Sequence, residues 1–98
     1  MRKRDAIRAL RAQAEAVKAL GATSLYLFGS AARDEAGEAS DLDLFIDYDP
    51  AGNFNGLDLV DIKLLLEAEL GVEIDLTTRD SIHPMLREDI QKSAVRVF

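Results

Sequence analysis

Asp41-Leu42-Asp43-Leu44-Phe45-Ile46-Asp47 is the stretch of this chain whose reading decides the fold. Its strict alternation predicts a strand with Asp41, Asp43 and Phe45 on one face and Leu42, Leu44 and Ile46 on the other. Upstream, the apolar and aromatic run Ser24-Leu25-Tyr26-Leu27-Phe28 stops abruptly at Gly29, which reads as a buried strand followed by a tight turn. Ala31 to Glu35 then forms one or two helical turns with Ser30 as N-cap, and Gly37 ends them.

Further out, Ile7, Leu10, Ala14, Val17 and Leu20 recur at spacings of three and four, predicting one amphipathic helix from Asp5 to Leu20 that stops at Gly21. Asp49-Pro50-Ala51-Gly52-Asn53 is a turn by composition. Leu57 to Leu70 reads as a strongly apolar helix capped by Gly71. Val72, Ile74 and Leu76 alternate with Glu73, Asp75 and Thr77, giving a third strand with one core face and one polar face. Pro84 suits the first turn of a last helix running to about Lys92, with His83 as its entry residue. Val95 to Phe98 forms a short strand or an irregular apolar end packed on the domain.

The 98 residues suffice for one compact domain, and the expected organisation is a single domain over residues 1–98. A net charge of -6 argues against a nonspecific nucleic-acid coat, which needs many phosphate-neutralising cations. The charge is uneven: residues 1–20 carry six basic and two acidic groups, and the rest carry six and sixteen. The basic start Arg2-Lys3-Arg4 reads as a solvated helix beginning. Cysteine is absent, so no disulfide or thiolate metal site exists. Asp5, Arg8, Arg11 and Glu15 interrupt any signal-peptide core, and no window has the apolar length of a membrane span, so a cytoplasmic location is the expectation.

The chemistry lies in the acidic pair. Carboxylates at i and i+2 on one strand face have Cα atoms about 6.5–7 Å apart, close enough to grip a shared divalent cation or flank two. Without cations such a pair is unfavourable, because each charge raises the other's proton affinity. Asp-X-Asp by itself equally fits a solvent-facing strand, and Gly-Ser after a strand is usually only a turn with a helix cap. Together they stand one loop apart. Gly29 lets backbone approach a ligand, and Ser30 opens a helical turn whose free N–H groups and hydroxyl can hold the outer phosphates of a nucleotide. Asp75 supplies a third carboxylate if its strand lies beside Asp41 and Asp43, where it can bind metal or accept a proton from an attacking hydroxyl.

The ordered set Gly29-Ser30-Ala31-Ala32-Arg33, Ser40-Asp41-Leu42-Asp43-Leu44 and the distal Asp75 resembles the signature of the DNA polymerase beta-like nucleotidyltransferases. Over nearly its whole length the chain is similar to the minimal nucleotidyltransferases, the stand-alone antitoxin partners of HEPN-domain toxins. The resemblance implies an α+β fold, a small mixed sheet with helices packed against it. It implies that Gly29 and Ser30 hold the triphosphate, that Asp41 and Asp43 bind two magnesium ions, and that Asp75 completes the site near the acceptor. The implied reaction is transfer of AMP from ATP, with loss of pyrophosphate, onto a hydroxyl; in the antitoxins this is a tyrosine of the partner ribonuclease.

The family pattern usually reads Arg-Gly after Gly-Ser-X-Ala, whereas here Arg33 is followed by Asp34 and Glu35, adding negative charge near the phosphate cradle. Asp tolerates glycine's backbone angles better than most residues. Arg33 either screens phosphate or pairs with Asp34, Asp47 or another local acid as a structural bridge, the structural role being favoured, and Ser40 shapes the entry to the acidic strand. Two other activities compete: a binding module that neutralises its partner by occlusion, with an inert nucleotide site, and transfer to a small hydroxyl compound, for which a homo-oligomer would supply the missing wall.

Overall fold

The computed structural model describes residues 1–34 and 41–98. The acidic stretch folds as strand β2 (Leu42–Tyr48), with Asp41 immediately before it. The apolar run is β1 (Ala22–Phe28), antiparallel to β2. The third strand is β3 (Ile74–Thr78), parallel to β2. Val95–Arg96 is β4, which pairs antiparallel with β1 and completes a mixed sheet of order β3-β2-β1-β4.

One face of this sheet is apolar. Leu25 and Leu27 of β1, Leu42, Leu44 and Ile46 of β2 and Ile74 of β3 are all buried in a single cluster. The helices supply the facing layer: Ala6 and Leu10 from α1 (Lys3–Arg11), Val17 from α2 (Ala14–Ala19), Ala31 and Ala32 from α3 (Gly29–Ala32), and Ile62 and Leu66 from α4 (Gly56–Leu70). Residues at i and i+4 on α4 therefore meet alternate residues on the strands, the packing that joins period 3.6 to period 2. A short 3₁₀ turn (Arg79–Ser81) leads from β3 to α5 (Pro84–Ser93). The His83 ring caps α5, its Nδ1 accepting the Met85 N–H at 3.1 Å, as expected of a helix-entry residue.

Two local expectations are corrected. The predicted helix from Asp5 to Leu20 is two helices, because the N–H of Gln13 turns back to the carbonyl of Leu10 in a tighter turn. The bend lets α1 pack on α3 and α4 while α2 packs on β1, two surfaces that one straight rod would not follow. Ser30 is not the N-cap: α3 begins at Gly29, with Phe28 in extended conformation at the cap position. As expected, Phe45 shares the acidic face, and it is fully buried there, because Tyr26 stacks on it at 4.7 Å and Phe28 leans on it at 5.7 Å. The expected end of the Ser30 turn at Gly37 lies outside the described residues.

The turn after β2 forms as expected, with Gly52 N–H donating to the Asp49 carbonyl at 2.9 Å. Among the described residues no helix is long and apolar enough to cross a membrane. The start of α4 is fixed by a reciprocal cap. Asn55 Oδ1 accepts the N–H groups of Leu57 and Asp58, and Asp58 Oδ2 accepts the N–H of Asn55 at 3.0 Å. Replacing Asn55 by Ala is expected to cost about 1 kcal/mol, measured as a lower denaturant midpoint at unchanged slope, whereas Asn55→Asp is expected to be close to neutral.

Candidate functional site

On the face of the sheet away from the helices, pairing puts the three motifs in one row. Phe28, the residue before Gly29, is the register partner of Asp43 on one side. Asp75 is the register partner of Asp43 on the other. Paired residues project to the same face, so Asp43 stands between the Gly-Ser turn and the distal Asp. Asp41 lies two residues earlier along the same chain, tied to the third strand by the Leu42 N–H, which donates to the Glu73 carbonyl at 3.1 Å.

Gly29 and Asp43 touch. Gly29 has φ +71°, and a Cβ there would lie 3.2 Å from Asp43 Cγ and 3.3 Å from its Cβ, with the carboxylate oxygen Oδ2 nearer still. The turn therefore requires glycine twice, for its left-handed backbone and for the space that the Asp43 side chain fills. Asp43 is held above the usual carboxylate range, first by its burial and then by the charges of Asp75 and Asp41. Ser30 sits inside α3, and Arg33 is exposed in the turn that follows it. Ser40 lies outside the described residues.

Asp41 and Asp75 line a recess of about 330 Å³ together with Lys63, Glu67, Glu73 and Ile74. Glu73 is pushed above its ordinary value by its hydrogen bond to Asp41 and by that residue's charge. Glu67 Oε2 accepts the Ile74 N–H at 3.1 Å and so fixes the recess wall. Among the described residues no three His, Cys, Asp or Glu side chains form a ready-made ligand cage. The donor set nevertheless fits a hard divalent cation: it offers oxygen ligands only, and although burial is the main cause of the raised proton affinity of Asp43, the charges of Asp75 and Asp41 add to it, a part that a cation would relieve. Asp41, Asp43 and Asp75 are the residues that would hold it.

Asp34, the acidic residue after Arg33, has a structural role. It adopts φ +57°, the left-handed conformation that glycine would take, and its Oδ1 accepts the Lys3 N–H at 3.0 Å, capping the start of α1. The basic start of the chain forms an outer groove in which Lys3, Arg4, Arg8 and Arg11 stand beside Ile7 and Asp34. Asp47 is held by Arg79. The guanidinium donates to both Asp47 carboxylate oxygens, at 2.7 and 2.9 Å, and lies over the rings of Tyr26 and Phe45 at 4.8 and 4.9 Å. Nothing in the sequence pattern signals this clamp. Glu73, by contrast, is legible at i−2 from Asp75, the same spacing that marks Asp41 and Asp43.

Two outcomes test this geometry. Gly29→Ala is expected to destabilise the fold by about 1–3 kcal/mol, from strain and from displacing Asp43, and is read by equilibrium unfolding. Because the Asp43 carboxylate is penalised in the fold, the metal-free protein loses stability as pH rises from the unfolded carboxylate value through the raised folded one. Asp43→Asn is therefore expected to melt higher than the unsubstituted chain at neutral pH, with the gap closing in acid.

Residues 10–97 match the model of the nucleotidyltransferase domain family. A Methanocaldococcus jannaschii protein named "Putative protein adenylyltransferase" is 43% identical over 72 residues, covering 74% of this chain and 75% of its own. The protein adenylyltransferase MntA of Thermococcus cleftensis is 30% identical over 77 residues, covering 79% of this chain and 76% of its own. A solved structure described as a "putative minimal nucleotidyltransferase" superposes with a TM-score of 0.73 at 39% identity, over 91% of this chain and 93% of the other. A toxin-antitoxin crystal structure with AMP-PNP shares the fold with a TM-score of 0.71 at 16% identity, over 90% and 72% of the two chains. With a matching sequence family, fold and row of motifs, the chain belongs to the nucleotidyltransferase domain family and is a nucleotidyltransferase.

Proposed function

We propose that this enzyme uses magnesium to transfer AMP from ATP onto a hydroxyl of a partner protein, a tyrosine of a HEPN-domain toxin, and thereby acts as its antitoxin. The observation that carries the reading is the position of Asp43, in contact with Gly29 and in register with Asp75. On this reading the Gly29 turn accepts phosphate and the neighbouring Asp75 accepts a proton, and their proximity supports it. Relatives named protein adenylyltransferase, at 43% and 30% identity, support the class of reaction. The toxin-antitoxin assemblies that share the fold support the class of partner.

The turn at Gly29 and Ser30 offers the triphosphate an approach free of side-chain bulk. Asp75, exposed at the recess, takes the proton from the acceptor hydroxyl as its oxygen attacks the α-phosphorus of ATP. The bond from that phosphorus to the bridging oxygen breaks, and pyrophosphate leaves. Magnesium, held by Asp41, Asp43 and Asp75, would neutralise the phosphate oxygens and the leaving group. The acidic recess needs such neutralisation, since its carboxylates by themselves repel a nucleotide.

Incubating the protein with the neighbouring gene's product, ATP and magnesium is expected to raise the partner's intact mass by one or more AMP groups. No increase with both proteins folded overturns the reading. Asp43→Asn is expected to slow transfer by about 100-fold or more. The Asp41→Ala and Asp43→Ala double variant is expected to lose protection of cells from the toxin at equal abundance; retained protection would assign the effect to occlusion instead.

A further inference from the structure

Helix α4 is apolar on two opposite sides. Ile62 and Leu66 are fully buried against the sheet, whereas Leu57, Val60 and Leu64 are 76%, 49% and 56% exposed. Spacings of three and four put these exposed residues in one stripe on the outer face. A helix with apolar side chains all round is ordinarily covered all round. One flank of the stripe borders the reaction site directly: Lys63 and Glu67, neighbours of Val60 and Leu64 on the helix surface, line the recess that contains Asp41 and Asp75.

The charges around the stripe favour one occupant over another. Asp61 lies between Leu57 and Leu64 on one flank at helical spacings of four and three, and Glu67 lies on the other flank. The adjoining recess adds Asp41, Glu73 and Asp75 against the single cation Lys63. A second copy packed stripe to stripe about a two-fold axis would bring these acids toward their own counterparts, which is repulsive. A partner carrying Lys or Arg beside its apolar residues would instead be attracted.

We propose that the Leu57, Val60 and Leu64 stripe of α4 docks the acceptor protein through an apolar surface with basic flanks, delivering the acceptor hydroxyl to the recess between Asp41 and Asp75. This inference rests on the adenylyl-transfer reading and adds to it the surface on which the acceptor binds. Docking there brings the partner's basic flank over the acidic recess, so that one surface supplies both affinity and orientation.

The test uses the full chain and the neighbouring gene's product, with affinity measured by calorimetry and AMP transfer by mass spectrometry. Leu57→Ser with Leu64→Ser changes exposed positions only. The pair is expected to weaken the complex on the order of 30-fold and to raise KM for the acceptor with kcat and ATP binding unchanged. Asp61→Lys keeps the stripe and is expected to weaken the complex about tenfold while flattening its salt dependence. Met85→Ser on α5, at a site 82% exposed, is expected to match the unsubstituted chain. Unchanged affinity in the stripe variants overturns the inference and leaves the reaction standing. A complex that the stripe variants abolish, but in which no AMP is transferred, sustains the docking surface and overturns the reaction. A homodimer that the stripe variants dissociate, or no complex with the unsubstituted chain, overturns the docking proposal.

Discussion

The contact between the Asp43 carboxylate and the backbone of Gly29 organises the rest of the site. It occurs at the point where β1 ends and its pairing with β2 reaches the register pair Phe28 and Asp43. Any side chain at Gly29 would push Asp43 toward Asp75, its partner on the far side, where another negative charge already stands. The sheet thus confines one carboxylate between a turn that must be bare and a second carboxylate. Its raised proton affinity is the electrostatic record of that confinement.

Such an arrangement is tenable because the sheet divides its labour between faces. The helix side is closed by leucine, isoleucine, valine and alanine from four helices and holds the strands in place. On the other face, Phe45 and its aromatic neighbours form a floor beyond the acidic row, and Arg79 clamps that floor by binding Asp47 while lying over Tyr26 and Phe45. Arg79 directly follows β3, and Asp47 is in β2, so the ion pair ties together the strands that carry Asp75 and Asp43. Asp34 solves a comparable problem next to α3. It takes a left-handed backbone conformation and spends its charge on the first amide of α1.

The charge asymmetry of the chain acquires a spatial meaning in this setting. Its basic start lines a groove on α1, while Asp41, Glu67, Glu73 and Asp75 line the recess at the junction of β2, β3 and α4. A recess of that sign attracts cations and basic surfaces. The apolar outer face of α4 adjoins it, so the exposed leucine and valine stripe and the carboxylates of the recess share one side of the molecule.

Local pattern was sufficient for the strands, the left-handed cap of α4 at Gly71, the cap of α5 at His83, the turn at Asp49 and the membership of the acidic row, because alternation, helical spacing and turn chemistry act between residues near in sequence. Family resemblance pointed to the mixed sheet, and the match to the nucleotidyltransferase domain agrees with it. The break at Gln13, the burial of Phe45, the Arg79 clamp on Asp47 and the cap that Asp34 gives to Lys3 were decided by tertiary structure alone. Each depends on groups that become neighbours only after strands have paired and helices have docked. Even the acidic row follows this division: its members are written in the sequence, but their alignment of Asp43 with Phe28 and Asp75 is set by strand register, a property of the sheet rather than of any one strand.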